Sequence, residues 1–348
     1  MDFRIFKEKY QKVEPKELAN NTSSKPLVSV CVQTYQHKDF IRDCLEGILM
    51  QKTDFSYEIL IGEDGSTDGT REICLEYFKR FPDKIRLFSH HRENNIHING
   101  KPTGRFNFVY NFFSGRGKYI AICEGDDNWT DPLNLQKQVE LLEANPQFSF
   151  AFHDVTVINK DGKILRKGYL KDGLRNNLEQ KVLKRGPDLL LSTICFRTNA
   201  LHFPREFFKV PNGDTFLISL LGNQGKGGYL ATIKNSFYRH HSGGVWSLKT
   251  ELFKSRGRLL TYFYLGTFYK KKNDTEISDY FLEKFLKERD LILNSATNMQ
   301  ERGQLVRQFY HMKKNKAAFW FFLYNLTHDF NGRGNIFKRN FLRNMSSF

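Results

Sequence analysis

The chain has 348 residues, of which 40% are hydrophobic and 26% charged, with a formal net charge of +16. That balance excludes a disordered chain, and the length exceeds the roughly 100–200 residues of a usual single domain, so one large α/β unit with an appendage, or two domains, is expected. Five scattered cysteines (Cys31, Cys44, Cys74, Cys123, Cys195) without a CxxC pair exclude a disulfide framework and a zinc ribbon; residues 1–18 carry Lys and Glu instead of a signal-peptide core, so a cytoplasmic setting is expected.

Residues 27–32, with Val at alternate positions between Pro26 and Gln33-Thr34, predict a buried strand. A helix should follow, capped by Asp39, with Ile41, Leu45, Ile48 and Leu49 on one face. The alternation repeats: a strand at 58–62, a turn at 65–69, a helix at 71–81, a strand at 85–88, a helix at 105–113, and a strand at 118–123 that runs into Glu124-Gly125-Asp126-Asp127. A helix at 133–144 and a strand at 148–152 complete this half. The pattern predicts a mostly parallel sheet covered by helices on both faces, with ligands gathered beyond the carboxyl ends of the strands.

Residues 155–250 are less regular, with strands expected at 193–197 and 229–233 and a helix at 214–222. From residue 251 the chain reads as helical, basic and aromatic-rich. Residues 301–348 carry 9 Lys/Arg against 2 Asp/Glu, and the most apolar stretch there, 317–326, is half the roughly 20 residues a membrane-spanning helix needs. This gives an N-terminal extension at 1–25, a main domain at 26–250 divided near 154, and a helical region at 251–348.

Carboxylates that end a central strand, as in residues 123–127, suit Mg²⁺ or Mn²⁺, which prefer oxygen donors and bind substrate phosphates; a loop with helix-capping acids, Asp131 among them, is the plainer alternative. The turn Glu63-Asp64-Gly65-Ser66-Thr67-Asp68-Gly69-Thr70 offers carboxylates and hydroxyls to a base or ribose edge, although a plain Asp-Gly turn is the commoner meaning of such a segment. No GxGxxG is present, which disfavours a dinucleotide site.

Three segments in order, residues 27–35, 63–70 and 117–127, together resemble the opening strand, second-strand signature and metal-binding segment of family 2 glycosyltransferases with the GT-A fold, over roughly residues 26–247. The resemblance implies that Thr34, Tyr35 and Asp64, with Glu63 and Ser66 nearby, hold a nucleotide base. It implies that Arg92, Asn94, Asn95 and Arg105 line the donor site. The DxD-type motif falls on Glu124-Gly125-Asp126, with Glu replacing the usual first Asp, so Asp126 leads the metal set, Glu124, Asp127 and His241 share it, and the cofactor is Mn²⁺ or Mg²⁺. Asp214 matches the family's catalytic base, though the usual Glu-Asp pair is Gly-Asp here; the alternative is a helix N-cap. Arg239 and Trp246 are expected over the phosphates and the sugar, with core packing an equal account of Trp246. Residues 129–132 and 135–138 resemble a bacterial subgroup of surface-polysaccharide assembly.

The implied partners are a nucleotide-diphosphate sugar, most commonly a UDP-sugar, and a saccharide or lipid-linked acceptor. The basic tail at 301–348 suits either an anionic membrane surface, with the protein peripheral on the inner face of the cell membrane, or packing on the catalytic domain. A degenerate transferase that binds sugar nucleotide without turnover is the alternative. A nucleic-acid-binding protein would explain the charge but leave the acidic strand ends purposeless, so no nucleic-acid partner is expected.

Overall fold

A computed structural model of the chain describes residues 1–98, 100–241, 243–244 and 249–294. The chain separates into two compact units, Met1–Phe285 and Leu286–Phe348. In chain order the elements are α1 (Phe3–Tyr10), β1 (Lys16–Glu17), β2 (Val28–Thr34), α2 (Ile41–Leu49), β3 (Tyr57–Glu63), α3 (Thr70–Arg80), β4 (Ile85–Ser89), β5 (Ile96–Ile98), β6 (Lys101–Thr103), α4 (Arg105–Ser114), β7 (Tyr119–Ile122), α5 (Asn134–Ala144), β8 (Phe148–Phe152), β9 (Val155–Asn159), β10 (Ile164–Lys167), α6 (Gln180–Lys184), β11 (Cys195–Arg197), α7 (Gly213–Gly222), β12 (Lys226–Tyr229), β13 (Ser236–His240), α8 (Glu251–Lys271) and α9 (Thr275–Asn294).

Eight strands form the main sheet in the order β1-β4-β3-β2-β7-β11-β8-β12. The pairs among β4, β3, β2 and β7 are parallel, as is β8–β12, whereas β11 runs antiparallel between β7 and β8. A second sheet, β10-β9-β13, joins β9 and β13 in parallel. This is the α/β, GT-A architecture the sequence predicts.

Alternation along β2 explains the layering. Val28, Val30 and Val32 face one core with Ile41, Leu45 and Ile48 of α2 and Ile73 of α3, while Cys31 faces the other core with Phe106 and Phe112 of α4. The surplus of phenylalanine lies mostly on this second face. Phe6 of α1 is fully buried and stacks on Phe106 at 5.2 Å, so the first helix closes the core beneath α4.

Two expectations need correction. Asp39 does not cap α2, whose N-cap is Phe40 without a side-chain bond. The strand expected at 229–233 is β12, which ends at Tyr229, because its pairing partner β8 stops at Phe152. Among the described residues no helix is long and apolar enough to cross a membrane. The expectations for Trp246 and for residues 301–348 lie outside the described residues.

Candidate active site

Three parallel strand ends bring the acidic segments together. Asp64 N–H donates to Thr34 O (3.0 Å), and Gly125 N–H donates to Gln33 O (3.0 Å), so the segments after β3 and β7 flank the end of β2. Gly125 is required by the close approach: a Cβ there would lie 2.8 Å from Thr34 Oγ1 and 2.9 Å from His37 Nδ1.

On the β3 side, Asp64 is buried and accepts from Arg92 Nη1 (2.6 Å) and Asn95 Nδ2 (3.2 Å). Burial pushes its carboxyl up to about 6 against the pull of Arg92 and Asn95. The Arg92 guanidinium also lies 3.8 Å from the centre of the Tyr35 ring, which is 40% exposed. Tyr35, Asp64, Arg92 and Asn95 are therefore one cluster.

Glu63 and Ser66 turn inward. Glu63 is fully buried and accepts from Ser66 N–H and from Arg71 Nε (2.7 Å), while Ser66 Oγ accepts from Gln36 N–H (3.0 Å). Both hold the turn instead of facing a ligand. Asn94 likewise bonds Lys12 N–H, Val13 N–H and Val13 O, tying the N-terminal segment to the sheet.

On the β7 side, Asp126 Oδ2 lies 3.0 Å from His241 Nε2 and 3.8 Å from His37 Nε2. Burial opposes its charge, but His37 and His241 more than compensate and hold its carboxyl below the usual range. Candidate ligand atoms of His37, Asp126 and His241, and those of Glu124, Asp126 and Asp127, lie within 4.8 Å of one another in each group. Glu124 is pushed up to about 8, first by its crowded surroundings and then by the charges of Asp126 and Asp214.

Asp127 has a different neighbourhood. It is buried, accepting from Ser192 Oγ and from Arg239 N–H (3.1 Å), and its carboxyl is raised by burial and by Asp126 and Glu124. It braces the loop from behind, which leaves Asp126 as the better oxygen donor to a cation. The same brace delivers His241: Asn128 and Phe237 exchange backbone bonds of 3.1 and 2.8 Å, so β13 runs alongside the carboxylate loop and ends beside it.

Arg239 departs from the expectation that its guanidinium meets phosphate. That group bonds Asp43 Oδ2 (2.9 Å), Asp126 O and Lys160 O and packs over Phe40, because β13 turns this side chain into the protein. Arg105 also departs. It is buried, donates to the carbonyls of Phe207 and Val210, and is lowered to about 10 by burial against the pull of Asp214. It supports the backbone leading to Asp214 instead of lining an open site.

Asp214 is exposed in the first turn of α7; the N-cap position itself is Asn212, which makes no side-chain cap bond, and Asp214 serves a first-turn amide. Its Oδ1 accepts from Thr215 N–H (2.7 Å). Surrounding protein raises its carboxyl, with Thr215 and Arg105 opposing and Asp188 reinforcing. Its charge contributes to the raised carboxyl of Glu124, after burial and Asp126. Three residues of the site, His37, Ser192 and Asp188, are not singled out by the motifs of the sequence. The Tyr-Gln-His order right after the first strand end was the available signal for His37; Ser192 and Asp188 carry none.

The family model described as "Glycosyl transferase family 2" matches residues 29–203. An uncharacterized protein of Mycobacterium tuberculosis is 31% identical over 228 residues, which are 63% of this chain and 60% of that protein. The putative teichuronic acid biosynthesis glycosyltransferase TuaG of Bacillus subtilis is 32% identical over 147 residues, 42% of this chain and 53% of TuaG. The alignments thus span about 60% or less of these relatives' lengths. Among solved structures, S. aureus TarS 1-349 in complex with UDP-GlcNAc superposes with a TM-score of 0.55 at 14% identity, covering 80% of this chain and 78% of that one, a likeness of fold. With half of its length matched by the family model, the chain belongs to the family 2 glycosyltransferases.

Proposed function

We propose that this protein is an inverting, metal-dependent glycosyltransferase that moves a sugar from a nucleotide-diphosphate sugar, with UDP as the nucleotide, to the hydroxyl of a saccharide or lipid-linked saccharide. The observation that carries this reading is the Asp126 carboxylate at the end of β7, with the Nε2 atoms of His241 and His37 3.0 and 3.8 Å from its Oδ2. The donor chemistry fits a divalent cation: Asp126 offers a charged oxygen and His241 a ring nitrogen 3.0 Å away. Asp126 and His241 would hold Mn²⁺ or Mg²⁺, with Glu124 beside them. When bound, the cation acts as a Lewis acid that stabilises the diphosphate leaving group.

The chain's own residues do the rest. Asp64, fixed by Arg92 and Asn95, offers an acceptor oxygen to the ring N–H of a nucleobase, and Tyr35 a ring face beside it. The acceptor oxygen forms its bond to the anomeric carbon as the carbon–diphosphate bond breaks on the opposite side, which inverts that carbon. The hydroxyl proton passes to Asp214 Oδ2, the oxygen not engaged by Thr215. Assembly of capsule, O-antigen or exopolysaccharide at the inner face of the cell membrane is the proposed setting, supported by the likeness to the teichuronic acid biosynthesis glycosyltransferase TuaG. Thermal-shift screening against UDP-, GDP- and dTDP-sugars with and without Mn²⁺, followed by a transfer assay, tests this: Mn²⁺-dependent stabilisation by a UDP-sugar is expected. Indifference to every sugar nucleotide sinks it.

A second reading has one observation in its favour. The family's usual acid before Asp214 is Gly213 here, and a Cβ on Gly213 would collide with the Arg105 guanidinium that occupies this space. A degenerate protein that binds sugar nucleotide without turnover follows if donor binding is tight and no donor is consumed with any acceptor.

A further inference from the structure

We propose that His37 is a metal ligand, completing with Asp126 and His241 a set of two imidazole nitrogens and one carboxylate oxygen that disfavours Mg²⁺. The inference rests on the metal-dependent reading above and goes beyond the motif that suggested it, because His37 lies in the connection after β2, far in sequence from the acidic segment. Its Nε2 is 3.8 Å from Asp126 Oδ2, and His241 Nε2 is 3.0 Å from the same oxygen. Donors about 2.1 Å from a shared ion stand roughly 3–4 Å apart, so these separations suit one cation. The two rings have centroids 6.1 Å apart and an interplanar angle of 86°, and the candidate ligand atoms of His37, Asp126 and His241 lie within 4.8 Å of one another.

The support around His37 is what a ligand needs. Thr34 Oγ1 lies 3.3 Å from Nδ1; with the ring proton there, Nδ1–H donates to the hydroxyl and the Nε2 lone pair is left facing Asp126. Gly125 lets the carboxylate loop sit against this pair, since a Cβ would press on both Thr34 Oγ1 and His37 Nδ1. Phe40 packs 4.7 Å from the His241 ring, with Arg239 over its face, so the second imidazole is held too. Thr34, expected at the nucleobase, thereby becomes a positioning residue for the metal. Two nitrogen donors suit Mn²⁺ and later transition ions better than Mg²⁺, which prefers oxygen and keeps its waters.

The test uses the metal-free full chain titrated with Mn²⁺, with and without UDP, read by the loss of the free-ion electron paramagnetic resonance signal. Pulsed measurements then count the coupled imidazole nitrogens, and Mg²⁺ serves as competitor. The wild type should show two nitrogens and resist Mg²⁺ at about 100-fold excess. His37→Gln, checked against His37→Asn for folding by circular dichroism, should show one nitrogen, weaker Mn²⁺ binding by about tenfold or more, and easier displacement by Mg²⁺. Two couplings and unchanged affinity in both His37 variants overturn the proposal, as does a single coupling in the wild type. If Asp126→Ala loses Mn²⁺ while the His37 variants do not, only His37 is excluded. Wild-type protein that takes up no Mn²⁺ under either condition, or Asp126→Ala that binds as well as wild type, removes the metal reading itself.

Discussion

The two halves of the main unit place their functional groups by different means. In residues 26–152 each acidic segment sits at the end of a parallel strand, so backbone pairing alone brings Thr34, Asp64 and Asp126 to one edge of the sheet. Beyond residue 153, Ser192, Asp214 and His241 come from three unlike segments, and side-chain ties fix two of them: Ser192 to Asp127, and the Arg105 guanidinium to the carbonyls before Asp214. Geometry in the first half therefore follows from strand pairing, whereas geometry in the second depends on a few individual bonds. Substitutions on the first side should remove chemistry with little change in folding; those on the second should do both.

The largest effect is expected at Asp126. Asp126→Ala should lower transfer by about 10³-fold or more while the circular dichroism spectrum and melting temperature stay near wild type. Asp214→Asn should lower kcat by about 10²–10⁴-fold with little change in the affinity for UDP measured by calorimetry; near wild-type turnover would remove it from the mechanism. Arg105→Met tests the contrast directly. It leaves buried carbonyls without their donor and should cost about 2–3 kcal/mol in urea unfolding and reduce kcat as well, although Arg105 contacts no reacting atom. Loss of stability without loss of activity would break the link between that tie and Asp214.

The smallest effect is a pH dependence at Asp64. Its folded-state carboxyl at about 6, above its ordinary 3.8, takes up a proton on folding between these values. The folded state is favoured at the acid end, and that contribution is lost as pH rises through 6. Asp64→Asn should flatten the melting-temperature profile between about pH 4 and 6, and wild-type UDP affinity should weaken as pH falls below 6. A profile identical in wild type and Asp64→Asn would assign the slope to other groups.

This contrast also explains what was legible in the sequence. Val28, Val30 and Val32, Ile41, Leu45 and Ile48, and the carboxylates after Ile122 reveal themselves because local periodicity and strand-end chemistry agree. Asp64 was separable from Glu63 only in the structure, where burial and Arg71 consume Glu63. Arg239 and Arg105 carried the right charge for a phosphate site, yet their direction depends on Asp43 and on the carbonyls near Val210, contacts spanning 196 and 105 residues. The parallel pairing of β9 with β13, which brings His241 to Asp126, likewise has no local signature, because residues 155–159 and 236–240 are short and far apart in the chain. His37 gains its meaning only from the fold, which sets its Nε2 3.8 Å from Asp126 Oδ2.

One feature bears on recombining such enzymes. Strand β11 lies antiparallel between β7 and β8, and the turn just before it supplies Ser192, whose hydroxyl donates to Asp127 and whose carbonyl receives the Trp129 indole N–H at 2.7 Å. A chimera cut near residue 154 would import a foreign version of that turn and leave the carboxylate loop without its own brace. A crossover after Arg197 would keep the loop and Ser192 as one inherited piece, and the donor chemistry should survive it only where the incoming segment restores His241 beside Asp126 and the backbone bond of Arg239 to Asp127.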